Sequence, residues 1–245
     1  MPVTVDLRDG DGSVSALDDM YADLVRIDRL FSTFLPESEV SRIRTGSLAL
    51  ERADPLVQEV VELCRGFERD TEGHFSAWYG GRLDPSGLVK GWAIARAAAT
   101  LDAHGFRDYF IDAAGDVRTR GHSAPGTPWR VGIRHPLERD KVVRVIFATD
   151  LAVATSGTYE KGAHIIDPRT GTPATRLVSM TVVGPSIIEA DVYATATFVM
   201  GLAGLDFIER RVGYEAYAID PDMRGHWTTG FDHHCDAARL GTLLD

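Results

Sequence analysis

Apolar residues recur at helical spacing first over 15–33, where Leu17, Met20, Tyr21, Leu24, Ile27, Leu30 and Phe31 share one face. The pattern predicts an amphipathic helix capped by Ser15 and ended by Pro36. A second helix is predicted from Pro55 to Phe67, with Asp54 as cap and Pro55 at its first position. A third, rich in alanine, covers 88–103 and stops at His104-Gly105. After Gly105 the texture changes to short β-type runs at 109–111, 129–133, 142–148, 152–155, 164–166 and 177–183, punctuated by Gly, Pro and Asp. Helices are predicted again over 187–200 and 203–212, with closing strands over 214–219 and 226–229. Helices, then a strand meander, then helices predict a single α+β domain over 1–245 with a mainly antiparallel sheet. A doubly wound parallel sheet would need regular β–α alternation, and none is present.

Composition narrows the classes. The chain has 245 residues, 44% hydrophobic and 25% charged, an ordinary globular balance. It is long enough to bury a core without disulfides or a structural metal. Cys64 and Cys235 are far apart and lack metal-ligand spacing, which suits a reducing compartment. The start, Met1-Pro2-Val3-Thr4, has neither the basic nor the apolar part of a leader, and no apolar run approaches the length of a membrane span. A cytoplasmic location is the expectation. Lys+Arg 26 against Asp+Glu 36 leaves a net charge of −10. That excludes a general nucleic-acid binder, which needs a basic surface. An anionic ligand would have to be held by backbone amides, a metal or a local basic patch.

Five segments carry candidate chemistry. Phe31 to Arg42 reads as a helix end and a Pro turn. Leu83-Asp84-Pro85-Ser86-Gly87-Leu88-Val89-Lys90-Gly91-Trp92-Ala93 is a turn into a helix N-terminus, which offers free amides and a positive dipole, with Lys90 as a point charge. A capped helix start explains it equally well. Ile111 to Gly121 places small residues after a strand, with Arg118 and Arg120 close by, and reads as a ligand-approach turn or an ordinary hairpin. Thr155-Ser156-Gly157 can present hydroxyls and amides to an oxyanion, and His164-Ile165-Ile166-Asp167-Pro168-Arg169-Thr170-Gly171 follows it. Asp191 and Thr195, four apart on a predicted helix, share one face and are hard oxygen donors suited to Mg²⁺. Helix capping by Asp191 with Thr195 packed inside is the plainer reading of that pair.

In this order and spacing, the segments resemble the ApbE family, the FAD:protein FMN transferases. The resemblance runs from about Phe31 to Met200 and is most specific over Leu83–Ala93, Ala154–Gly157, His164–Gly171 and Ala190–Ala196. It implies an α-β roll. It also implies an enzyme that uses FAD and a divalent cation, usually Mg²⁺, to move FMN onto a Ser or Thr hydroxyl of a target flavoprotein, releasing AMP. Some members hydrolyse FAD to FMN and AMP instead. By motif, Asp191 and Thr195 match the metal-ligand pair, and Asp116 would add its backbone carbonyl. His164 matches the proposed base. Ala113, Thr119 and Ile166 fall at positions that contact FAD in relatives. Lys90, Ser156 and Gly157 lie in segments that line the same pocket, and Phe34 is a further candidate flavin contact.

Three departures stand out. Relatives usually have paired glycines where this chain has Ala113-Ala114-Gly115. Many have a Met-Gly-Thr segment near the N-terminus, where this chain has Met1-Pro2-Val3-Thr4. The stretch between Phe75 and Asp84, residues 76–83, is shorter than in many relatives. The same pocket could serve an FAD pyrophosphatase instead, and the shortened loop and Ala114 would motivate a non-catalytic flavin carrier, although storage needs no base.

Overall fold

Local signals set most of the helices. The Asp54 side chain accepts the Leu56 N–H at 2.9 Å, and Pro55 occupies the first turn of α3 (Pro55–Asp70). Ser38 caps the short α2 (Glu39–Arg44), which the sequence reading passes over because Pro36 signals a stop. α1 (Val14–Phe31) buries Ala16, Met20, Ile27 and Phe31, while Tyr21 faces out. It begins before Ser15, which therefore lies in the first turn and is not its cap. α4 (Ser86–Ala103), α5 (Ile187–Met200) and α6 (Ala203–Glu209) complete the set. The molecule is seen in a computed structural model that describes residues 2–10, 14–138, 140–158, 162 and 164–235.

Thirteen strands occur among the described residues. They are β1 (Val3–Leu7), β2 (Trp78–Tyr79), β3 (Arg82–Leu83), β4 (Tyr109–Ala113), β5 (Asp116–Arg120), β6 (Trp129–Arg134), β7 (Val142–Ala148), β8 (Ala152–Gly157), β9 (Ile166–Asp167), β10 (Thr172–Pro173), β11 (Ser179–Gly184), β12 (Glu215–Ile219) and β13 (Gly225–Trp227). Seven form one antiparallel sheet in the order β1-β4-β5-β8-β11-β12-β13. The hairpins β2–β3, β6–β7 and β9–β10 stand outside it. The expected α+β architecture with a mainly antiparallel sheet is observed.

β11 shows why the sheet lies in the middle. All six of its residues are buried. Met180 and Val182 face a helical layer that includes Ala190, Ala194 and Phe198 of α5. Val183 faces a second cluster with Trp129, Val131, Ile146 and Phe231, so the β6–β7 hairpin covers the opposite face. A strand covered on both faces loses the alternation of a half-exposed one. A third cluster joins α1 to α4 through Phe31, Val60, Leu88 and Trp92. α5 is apolar almost all round, as its central position requires, and each large side chain buried there contributes about 1.5–3 kcal/mol. Its polar residues Asp191 and Thr195, one turn apart, break that pattern. No described helix is long and apolar enough to cross a membrane.

Candidate active site

Where α4 begins, β4 turns into β5, β8 ends and α5 passes, the chain leaves a cavity of about 1060 Å³. Lys90, Ser156, Gly157, His164, Ile166, Asp191 and Thr195 all line it. The sequence separates Lys90 from Thr195 by 105 positions, and the sheet and the α4–α5 pair bring these residues together.

Two glycines shape the floor. A Cβ on Gly91 would lie 2.7 Å from the Ile187 carbonyl oxygen and 2.9 Å from Asp191 Cβ, so only glycine lets α4 approach α5 this closely. A Cβ on Gly87 would lie 3.1 Å from the Phe75 ring. In the β4–β5 turn Ala114 has φ +53° and Gly115 φ +96°, and Asp112 Oδ1 accepts the Gly115 N–H at 2.8 Å. Two successive positive φ values make this a tight hairpin turn of the kind that favours glycine, so Ala114 carries backbone strain at the cavity wall.

The charged centre is a triad. Lys90 Nζ lies 2.5 Å from Asp116 Oδ2 and 3.6 Å from Asp191 Oδ1. Asp116 and Asp191 are almost wholly buried, while the Lys90 side chain keeps 28% exposure. The other oxygens are committed: Asp191 Oδ2 accepts the Gly91 N–H at 2.8 Å, and Asp116 Oδ1 accepts the Thr155 N–H at 3.2 Å. Burial pushes the Asp191 carboxyl up, against the opposing pull of Lys90. Burial alone would lower Lys90, but Asp191 and Asp116 together outweigh it and hold the ammonium above the ordinary lysine range. Thr195 Oγ1 and Ser156 Oγ share a hydrogen bond at 3.1 Å, joining α5 to β8.

This donor set fits a hard divalent cation shared with a ligand. Asp116 Oδ2 is buried with no well-aligned hydrogen bond, beside the Lys90 ammonium. Asp191 Oδ1 and the Thr195 hydroxyl supply further hard oxygens. Among the described residues no group of three His, Cys, Asp or Glu could hold a metal. A cation here would therefore draw further oxygens from a ligand such as a phosphate.

His164 Nδ1 donates to the Gly162 carbonyl at 2.9 Å, since a carbonyl cannot donate. The neutral ring then presents Nε2 as a proton acceptor. His74, which the sequence reading misses, has the same arrangement, with Nδ1 donating to the Thr71 carbonyl at 2.9 Å. It also lines the cavity, as do Tyr79, Arg130 and Arg134. The alternation Arg130-Val131-Gly132-Ile133-Arg134 was the available signal, because period 2 puts both arginines on one face.

The remaining candidates lie elsewhere. Asp116 sits beneath the wall, and its carboxylate, rather than its carbonyl alone, is engaged there. Ala113 is buried in the sheet. Thr119 is fully buried, and its hydroxyl donates to the Leu151 carbonyl at 3.0 Å and accepts the Leu151 N–H at 3.2 Å, which commits it to the β5–β8 junction. Phe34 is 93% exposed in the turn after α1 and is not part of the cavity wall.

A seven-stranded antiparallel sheet under a helical layer, with a cleft carrying paired carboxylates, a lysine and two histidines, defines an α+β protein built around a polar ligand site. The chain belongs to the ApbE family, whose sequence model matches residues 79–218. It is 37% identical over 129 residues to a protein of Vibrio cholerae named FAD:protein FMN transferase, a match covering 49% of this chain and 39% of that protein. It is 32% identical over 156 residues to the protein of the same name from Salmonella typhimurium, covering 60% and 45%. The matched part of the chain thus spans less than half the length of these relatives. The solved structure of the flavin transferase ApbE from Vibrio cholerae shares the fold, with a TM-score of 0.82 at 23% identity over 95% of both chains.

Proposed function

We propose that this protein transfers the FMN moiety of FAD to a Ser or Thr hydroxyl of a target flavoprotein and releases AMP, with Mg²⁺ or another divalent cation as cofactor. The observation that carries the reading is one cavity of about 1060 Å³ holding Asp191, Thr195 and Lys90 together with His164, whose Nε2 is a ready proton acceptor. The names of the relatives support the choice of FAD and of protein as substrates.

Asp191 and Thr195, with Asp116, would hold the cation, which supplies charge neutralisation to the diphosphate when bound. His164 takes the acceptor hydroxyl proton as the oxygen attacks the FMN phosphorus. The new O–P bond forms as the bond from that phosphorus to the AMP phosphate breaks. Ser156, Gly157 and Ile166 line the cleft that orients FAD. Lys90, Arg130 and Arg134 place positive charge in it despite the net −10. His164 is exposed, so water can also reach it, and hydrolysis to FMN and AMP is the second reading.

The test is a product assay with FAD and Mg²⁺, with and without a flavoprotein acceptor from the same cell. AMP with covalently labelled acceptor is the expected result. AMP with free FMN, unaffected by acceptor, would replace the transferase by a hydrolase. Intact bound FAD would replace both by a carrier.

A further inference from the structure

Asp191 offers a cation very little freedom. Its Oδ2 is tied to the Gly91 N–H at 2.8 Å, and its Cβ is wedged against Gly91 by the close approach of α4 to α5. Oδ1 is the oxygen left to bind a metal, and the Lys90 ammonium already stands 3.6 Å from it. Lys90 cannot simply be an exposed counter-ion, because Asp116, itself anchored by the Thr155 N–H, holds the ammonium at 2.5 Å.

We propose that Lys90 is a built-in competitor for the divalent cation: its ammonium balances Asp191 and Asp116 in the ligand-free protein, and metal binding at Asp191 Oδ1 requires the ammonium to move off that oxygen. The proposal rests on the metal assignment above and adds a coupling to it. A like-charged ammonium beside the site weakens metal binding. An anionic diphosphate entering the cleft gives Lys90 another partner and relieves that competition. Metal alone therefore binds weakly, and metal with an anionic ligand binds better, without any change of fold. The Lys90 ammonium within reach of both lets two carboxylates be buried close together, since unpaired buried charges are strongly destabilising.

The experiment is a Mn²⁺ titration of the ligand-free protein, read by electron paramagnetic resonance of free Mn²⁺. Wild type, Lys90→Met and Asp191→Asn are compared. Lys90→Met is expected to bind Mn²⁺ about tenfold tighter or more, since like charges a few ångström apart repel strongly in a partly buried site. Its melting temperature is expected to be lower than wild type in EDTA and to rise more steeply with Mn²⁺. Equal or weaker Mn²⁺ binding by Lys90→Met overturns the competition while leaving the metal site intact. Mn²⁺ binding unaffected by Asp191→Asn overturns the metal assignment and the proposal with it. Should Lys90→Met fail to fold, the ¹⁵Nζ resonance of Lys90 in wild type decides. A shift on titration with diamagnetic Mg²⁺ supports displacement, and an unchanged signal at saturation overturns it.

Discussion

The backbone N–H of Gly91 donates to Asp191 Oδ2 at 2.8 Å, so one helix uses its main chain to aim a carboxylate on the next. The contact exists only because residue 91 has no side chain. Gly91→Ala would drive a Cβ into the Ile187 carbonyl and Asp191. Overpacking of this kind costs about 1–3 kcal/mol. We expect a lower denaturation midpoint together with weakened metal binding. A variant with unchanged midpoint and unchanged Mn²⁺ affinity would show that the two helices yield without disturbing Asp191.

Ala114 sits in the left-handed region at φ +53°, next to Gly115 in the cavity-wall turn. Glycine there relieves strain but raises the entropy of the unfolded chain. Ala114→Gly is expected to stabilise by about 0.5–1 kcal/mol net and to tighten FAD binding, because a methyl leaves the cavity wall. Calorimetry and a flavin titration check the two effects separately. Weaker FAD binding would mean that the methyl makes a contact the ligand uses.

His164→Ala is expected to lower the transfer rate about 10²–10⁴-fold, the usual range for a lost general base, with Mn²⁺ affinity retained. His74→Ala, at the other histidine lining the cavity, is expected to cost far less. Single-turnover rates with saturating FAD and metal separate them. A large loss at His74 with little at His164 would exchange the two roles.

Asp54 gives a pH prediction away from the site. The Leu56 N–H, and then Arg26, hold its carboxyl below the ordinary value of 3.8. A depressed folded pKa means that the stabilisation is complete above the unfolded value and is lost as pH falls through the folded one. Asp54→Ala should therefore cost about 1 kcal/mol at neutral pH. The difference from wild type should shrink below pH 3.8. Urea denaturation across that range measures it, and a pH-independent difference would assign the effect to helix geometry alone.

The helices were legible because their signals are local. Asp54-Pro55 starts α3, His104-Gly105 ends α4, and the apolar run of 187–200 matches α5 residue for residue. β1 and β5 are not predicted as strands, nor are the short β2, β3 and β10. β5, Asp116-Val-Arg-Thr-Arg120, looks like a polar turn, and only pairing with β4 and β8 makes it a strand. Arg118 and Arg120 are accommodated there by distant partners, the Asp150 and Pro185 carbonyls and Asp102. β1 is an edge strand with no buried residue, whose register against β4 is a long-range fact.

The site divides the same way. The amino-acid sequence by itself determined the residue types and their motif order, because Asp191–Thr195, Lys90-Gly91 and His164–Asp167 carry their chemistry in short spacings. The tertiary structure alone decided which of them meet. It committed the Thr119 hydroxyl to Leu151, left Phe34 in solvent, and brought His74 and Arg130 to the cavity. It also set Lys90 against Asp116 and Asp191. The physical reason is that helix caps and periodicity arise from neighbours within a few residues. A buried charge cluster arises from sheet pairing and helix approach across a hundred residues, where each carboxylate must find its partner to be buried at all.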